Sequence, residues 1–484
     1  MSASAAPSVP RQPIHESLRI AGEKVRTERI MEVRHPYDGE LIGTVPKAGL
    51  EDVKRALSIA RGFKSTLLRH ERYQILMKAG AIIASRRADL ARLITLESGL
   101  CLKDSQYEVG RASDVLLFAA NLALVDDGQV FSCDLTAHGK SRKVYTMKEP
   151  LLGAIAAITP FNHPLNQVIH KVAPAIATNN RVVLKPSEKT PLTAFALADI
   201  LYEAGLPPEM LSVLTGDPAE IADELLTSAD VDLITFTGGV SIGKYIAAKA
   251  VYKRQVLELG GNDPLIVLED ADLDEAAALA VSGSYKNSGQ RCTAVKRMLV
   301  QDSVADRFVE LLVEKTRAVK YGDPFDPAMD MGTVIDEASA RRFEAVVDEA
   351  VADGAKLLIG NIRRGALYSP TVLDRVTPDM TVVRHETFGP VSPVIRFKTV
   401  DEAIRISNGT AYGLSSSLCT NRLDLITRFV RELHVGSVNV REVPGYRLEI
   451  TPFGGIKDSG LGFKEGVMEA MKSYCNTKTY SLPW

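Results

Sequence analysis

Between Leu50 and about Gly128 apolar residues recur every three or four positions, the spacing of one buried helix face. This predicts helices over EDVKRALSIARGF, over a long run through ERYQILMKAGAIIASRRADLARLITLESG, and over YEVGRASDVLLFAANLA. Gly99 is positioned to cap the second of these. At residues 130–150 the pattern changes to Val, Phe, Tyr and Thr alternating with polar residues around His138-Gly139-Lys140, which predicts a two-stranded ribbon. A lone hairpin is marginal in water, so the ribbon needs a surface to lean on, such as a neighbouring subunit.

Short, fully apolar runs then alternate with helix-forming stretches. LLGAIAAITP, RVVLKPS, LSVLTG and DLITFTGG each end in Pro, Gly or Ser, the rhythm of a parallel sheet covered on both faces. A second α/β series contains RQVLELGG, PLIVLED, MLVQD, VIRF, SSSLCT and SVNV as strands, with helices such as SARRFEAVVDEAVADG between them. The boundary between the series falls near Gly260-Gly261, and the closing SYCNTKTYSLPW is expected to pair with the ribbon. The fold class is therefore α/β, and ligands on such sheets bind at the carboxyl ends of the strands.

Composition narrows the function. A chain of 484 residues exceeds the size at which one core stops growing, so two or three domains are expected. Lys plus Arg (58) nearly cancels Asp plus Glu (60), leaving no global field to attract nucleic acid or an anionic membrane. Five scattered cysteines without a C-x-x-C pair suggest neither zinc nor a redox dithiol; no metal site is expected, and a reducing, cytoplasmic setting fits. The first dozen residues lack the apolar core of a secretory signal and are expected to be mobile.

The chemistry gathers in a few segments. Cys292, in Asn287-Ser288-Gly289-Gln290-Arg291-Cys292, pairs a thiol with a neighbouring cation, which is expected to lower the thiol pKa and activate a nucleophile. The alternative is one more small buried residue. Glu258 stands in an apolar strand end, where burial raises a carboxyl pKa toward the range of a general base. Asn162, in Thr159-Pro160-Phe161-Asn162-His163-Pro164, is either an oxyanion donor or a turn residue. Lys185 and Glu188 follow a strand and either meet a ribose or form a solvated pair. Gly238-Gly239 opens a strand-to-helix turn suited to a phosphate or to tight packing.

Together TPFNHP, VLKPSEKTP, FTGG-x-x-x-G, LELGG, GQRC, HETFGP and PFGGIKDSGLG resemble the aldehyde dehydrogenase superfamily over nearly the whole chain. The resemblance implies a Rossmann-type NAD domain (residues 1–124 and 148–259), an α/β catalytic domain (260–459) and a small β oligomerisation domain (125–147 and 460–484), assembled as a homodimer or homotetramer. It implies NAD as cofactor, held by Thr159, Pro160, Lys185, Glu188, Gly216, Gly238, Gly239, Glu386 and Phe388. It assigns Cys292 as nucleophile, Asn162 as oxyanion donor and Glu258 as base for the deacylating water.

Departures from the family's commonest pattern speak to the substrate. His163 stands where an aromatic residue is frequent, Arg291 precedes the nucleophile, and Arg111 lies on the helix that would wall the substrate tunnel. With Thr293, and with Arg447 as either a further cation or a structural residue, these residues predict a small anionic aldehyde, since Arg matches phosphate or phosphonate oxygens bidentately. The set resembles that of phosphonoacetaldehyde-oxidising members, which make phosphonoacetate. The alternatives are glyceraldehyde 3-phosphate without phosphorylation, lactaldehyde or succinate semialdehyde, a helix-surface role for Arg111 beside Glu108, and an inactive relative that only binds.

Overall fold

The computed structural model describes residues 12–126 and 128–484; the amino-terminal segment expected to be mobile lies almost wholly outside them. The helical run resolves into α1 (Leu50–Gly62), α2 (Arg69–Ser85), α3 (Arg87–Ser98) and α4 (Leu102–Ala123). The long second run breaks at Arg86, and α3 ends on Gly99 in the left-handed conformation.

Two seven-stranded sheets follow. The first runs Arg254–Glu258, Val231–Thr237, Ala154–Ile158, Val182–Lys185 and Leu211–Val213, all parallel, then continues antiparallel through Leu18–Ile20 and Glu23–Val25. Its crossover helices are α5 (Asn166–Ala177), α6 (Leu192–Ala204), α7 (Pro218–Thr227) and α8 (Val240–Ala250). The second sheet has Arg297–Gln301 beside Pro264–Val267 at its centre, with Val391–Phe397 on one side and Ser415–Cys419 then Ser437–Val440 on the other. Helix α9 (Leu273–Tyr285), capped by the Asp272 carboxylate on the Asp274 and Glu275 N–H groups, covers one face. RQVLELGG, grouped in sequence with the second series, pairs instead with Val231–Thr237 in the first sheet, so the change of sheet comes after Glu258.

The ribbon Val130–Ser132 and Lys143–Pro150 forms as expected, and Cys475–Leu482 joins it along eight antiparallel positions. The helix before that strand, Val467–Ser473, buries Val467 and Ala470 in the core that α2, α4, α5 and α6 share. Among the described residues no helix is long and apolar enough to cross a membrane.

Candidate active site

Four motifs stand at the carboxyl edge of the first sheet. Ala154–Ile158 runs into Thr159 and Asn162, Val182–Lys185 ends on Lys185, Val231–Thr237 runs into Gly238-Gly239, and Arg254–Glu258 ends on Glu258. From Ala154–Ile158 the chain moves to one neighbour, Val182–Lys185, and later returns to the other, Val231–Thr237. Such a switch point opens a crevice. A cleft of about 600 Å³ lies between Val240, Ser241 and Lys244 at the start of α8 and Glu386, Tyr412 and Asp458 across from them.

This crevice fits a nicotinamide dinucleotide. The α8 N-terminus, with Gly239 as its cap, offers unpaired N–H groups, and a Cβ at Gly239 would meet nothing within 4 Å. The Thr159 and Thr237 hydroxyls are buried without hydrogen-bond partners, so both can take one from a ligand. Gly238 differs from its neighbour: a Cβ there would meet the Phe236 ring at 2.4 Å, so tight packing requires it. Gly216 is likewise pressed on Ile221 and the Ala48 carbonyl. Lys185 donates to the Glu188 carboxylate and, at 3.4 Å, to the Pro186 carbonyl. Pro160 lies between Thr159 and Phe161, and the Phe161 ring meets that of Phe388 edge-on at 5.8 Å.

The nucleophile turn is built from three consecutive left-handed residues, Asn287, Ser288 and Gly289, at φ 60, 53 and 70°. A Cβ at Gly289 would also strike the Gly389 backbone at 2.5 Å, so only glycine serves there. Asn287 N–H donates to Asp104 at 2.7 Å, and its side chain donates to the Asn162 carbonyl at 2.9 Å. Asn162 Nδ2 donates to the Gln290 carbonyl at 2.8 Å, which carries its amide to within two residues of Cys292. The Cys292 backbone N–H makes no hydrogen bond among the described residues.

Burial pushes the Cys292 thiol up to about 11, against the pull of Lys296 and Arg447. This corrects the expectation drawn from Arg291. Its guanidinium turns away, donating to the Gly283 and Ser282 carbonyls at 2.6 and 3.3 Å at the end of α9. Glu258 is buried with both carboxylate oxygens unpartnered. Burial first, and then the nearby Glu465 carboxylate, raise its pKa well above the ordinary value. Glu465 itself is bound to the buried Lys171 ammonium at 2.9 Å.

A second cavity, about 720 Å³, is walled by α4, which presents Asp104, Tyr107 and Arg111 on one face. His163, Lys286, Asn287, Arg291, Arg447 and Glu449 line it as well. His163 Nδ1 lies 3.4 Å from Glu108, which also accepts the Leu165 and Asn166 N–H groups. The partner of Arg111 is Glu449, not Glu108. Thr293 touches the loop that carries Arg447: a Cβ at Gly445 would sit 2.5 Å from its hydroxyl. Arg447 stacks over Phe453 at 3.7 Å, with Nη1 buried and unpartnered.

Lys286, His170, Lys296 and Glu449 were missed in the sequence. Lys286 lies over the Tyr107 ring at 3.3 Å, and burial lowers its pKa, with Arg291 and Arg111 acting in the same sense against Asp104. The signal for Tyr107 was present, because Asp104, Tyr107, Glu108 and Arg111 follow helical spacing.

The chain matches the aldehyde dehydrogenase family over residues 23–480, and it belongs to that family. It is 40% identical over 456 residues to the 3-sulfolactaldehyde dehydrogenase of Priestia aryabhattai, covering 94% of this chain and 95% of that one. Among solved structures, an NAD-dependent aldehyde dehydrogenase from Sinorhizobium meliloti superimposes with a TM-score of 0.92 at 34% identity, over 98% of this chain and 95% of that one. An NADP-dependent glyceraldehyde-3-phosphate dehydrogenase from Bacillus halodurans C-125, complexed with NADP, gives 0.94 at 37% identity, over 97% and 99%. The protein is thus an oxidoreductase that acts on aldehydes with a nicotinamide cofactor.

Proposed function

We propose that the protein oxidises phosphonoacetaldehyde to phosphonoacetate with NAD. One observation carries the head-group assignment. Arg111 and Arg447 share Glu449, but Arg291 and Lys286 have no carboxylate within ion-pair distance among the described residues. Asp104, in the same cavity, acts on both at longer range without pairing with either, so two cations free of a carboxylate ion pair face the cavity; such a pair suits a dianion, and Arg offers a phosphonate a bidentate edge.

Cys292, once its thiol has lost its proton to solvent, attacks the aldehyde carbon as the thiolate, and the oxyanion is met by the Cys292 N–H and the second amide hydrogen of Asn162. A nicotinamide cofactor, when bound in the crevice, would supply the hydride acceptor, and Cys292 would then carry the acyl group as a thioester. Water then adds to the thioester carbonyl, Glu258 takes its proton, and the thiol departs from the carboxylate product. Lys185 and Glu188 would hold the adenosine ribose, Glu188 disfavouring a 2′-phosphate, while Glu386 and Phe388 would orient the nicotinamide half.

A sulfonate substrate is the second reading, favoured by the likeness to 3-sulfolactaldehyde dehydrogenase. A sulfonate brings one charge, which would leave one of the two cations without an ion-pair partner. A turnover panel of phosphonoacetaldehyde, 3-sulfolactaldehyde, glyceraldehyde 3-phosphate, succinate semialdehyde and lactaldehyde, each with NAD and NADP, decides. Highest kcat/KM for phosphonoacetaldehyde with NAD is expected; equal or better use of lactaldehyde, which has no anionic head group, sinks the proposal. The exposed Val130, Phe131, Leu135 and Tyr480 of the ribbon support self-association into a dimer or tetramer, and the cysteine usage a cytoplasmic setting.

A further inference from the structure

We infer that Glu449 is the positioning residue that presents Arg111 to the substrate head group, a role that rests on the anionic-substrate reading above. Glu449 lies on the loop between strand Ser437–Val440 and Phe453, and its side chain is only 5% exposed. One carboxylate oxygen, Oε1, accepts from Arg111 Nε on α4. The other, Oε2, accepts from His170 Nε2 on α5 at 2.6 Å and lies 4.0 Å from Arg447 Nη2. A single carboxylate thus ties two helices and a loop together beside the cavity that all of them line or back.

The choice of atoms matters. Arg111 makes its hydrogen bond through Nε, and its guanidinium makes no other among the described residues. Its Nη edge is therefore left for a ligand, and the plane of that edge is set by Glu449. Bidentate recognition needs such a fixed plane, since a swinging guanidinium gives up rotamer entropy on binding.

His170 is completely buried with Nδ1 unpartnered, burial lowers its pKa, and it donates Nε2–H to Glu449. Although burial works the other way, the hydrogen bond and electrostatic pull of His170, and then the charges of Arg111 and Arg447, hold the Glu449 carboxyl well below the usual range. It stays an acceptor on both oxygens at any working pH. The site can therefore spend the charge of Arg447 and the Nη edge of Arg111 on substrate while Glu449 holds geometry.

Length and charge are separable by two variants that both keep a polar side chain. Glu449→Asp keeps the charge but withdraws it by one methylene, so it cannot span Arg111 and His170 together. Glu449→Gln keeps the span and an acceptor for Arg111 Nε. Steady-state kinetics of both, of Arg111→Ala and of Glu449→Asp/Arg111→Ala are measured with phosphonoacetaldehyde and with propionaldehyde. Glu449→Asp is expected to raise KM for phosphonoacetaldehyde about tenfold or more, with kcat and both propionaldehyde constants within about threefold. Glu449→Gln is expected to stay within about threefold of wild type, and Glu449→Asp to add less than about threefold on top of Arg111→Ala.

Parallel losses on propionaldehyde, additive effects in the double variant, or a Gln variant worse than the Asp variant would each overturn the positioning role. Wild-type protein that turns over no anionic aldehyde overturns the proposed function and this role with it; wild-type turnover with any of the three adverse patterns overturns this role alone.

Discussion

Lys296 Nζ donates to Glu386 Oε1 at 2.7 Å, and the same ammonium donates to the Cys292 carbonyl at 2.8 Å and the Gly261 carbonyl at 2.9 Å. One buried cation therefore links the nucleophile's backbone to a residue of the cofactor cleft. Lys296→Met leaves the Glu386 carboxylate largely buried without its partner, at a cost of roughly 3–5 kcal/mol in thermal or urea unfolding. It also removes the first cation that opposes desolvation of the thiol. Iodoacetamide labelling of Cys292 in wild-type protein should climb with pH toward about 11, and the variant's profile should shift higher still. An unshifted profile would remove Lys296 from the thiol's electrostatics.

In its proposed role as base Glu258 must be ionised, and its pKa is raised. Hydrolysis of the thioester should therefore fall as pH drops through that raised value and recover above it. Glu258→Gln should keep a single-turnover burst of NADH while steady-state turnover drops on the order of 10²–10⁴-fold. Stopped-flow absorbance reads both, and a lost burst would mean that Glu258 acts before hydride transfer.

Arg291→Ala and Lys286→Met each remove a cation that forms no carboxylate ion pair among the described residues. Each is expected to raise KM for phosphonoacetaldehyde by roughly 10- to 100-fold, the worth of a charge-assisted hydrogen bond, with propionaldehyde little changed. Equal losses on both aldehydes would point to general damage to the cavity.

Gly260 faces Glu386 so closely that a Cβ would lie 2.0 Å from Oε2. Gly260→Ala must displace Glu386 from Lys296 and from the Gly261 N–H it accepts at 3.2 Å. The expected outcome is a folded protein, about 1–3 kcal/mol less stable, with a raised KM for NAD. Cofactor titration by tryptophan-independent means, such as calorimetry, checks this.

The alternating α/β series was legible because strands such as Val182–Lys185 and Pro264–Val267 are buried on both faces and read as unbroken apolar runs. The strands between Ile14 and Pro46 were missed: they are two to six residues long, and Ile30–Arg34 is largely exposed, so no pattern marks them. Which sheet RQVLELGG joins depends on pairing, and strand composition does not encode a partner. In the candidate site, Cys292, Glu258 and Asn162 were singled out through local motifs, and Asn162 and the Cys292 turn do meet, through the Gln290 carbonyl. The electrostatics were not legible, because adjacency along the chain was read as adjacency in space. The leading cations on the thiol are Lys296 and Arg447, while the Arg291 guanidinium, still within electrostatic reach of Cys292, donates to the end of α9. The link between His170 and Glu449 joins segments far apart in the chain, beyond the reach of any spacing rule.

Arg291 closes the carboxyl end of α9 through the Ser282 and Gly283 carbonyls while lending its charge to the neighbouring cavity. A lineage drifting toward an uncharged aldehyde cannot simply discard this arginine, because the first step also uncaps a helix. Substrate range and fold integrity are inherited together at this position, so a change of diet has to begin with a compensating substitution in α9.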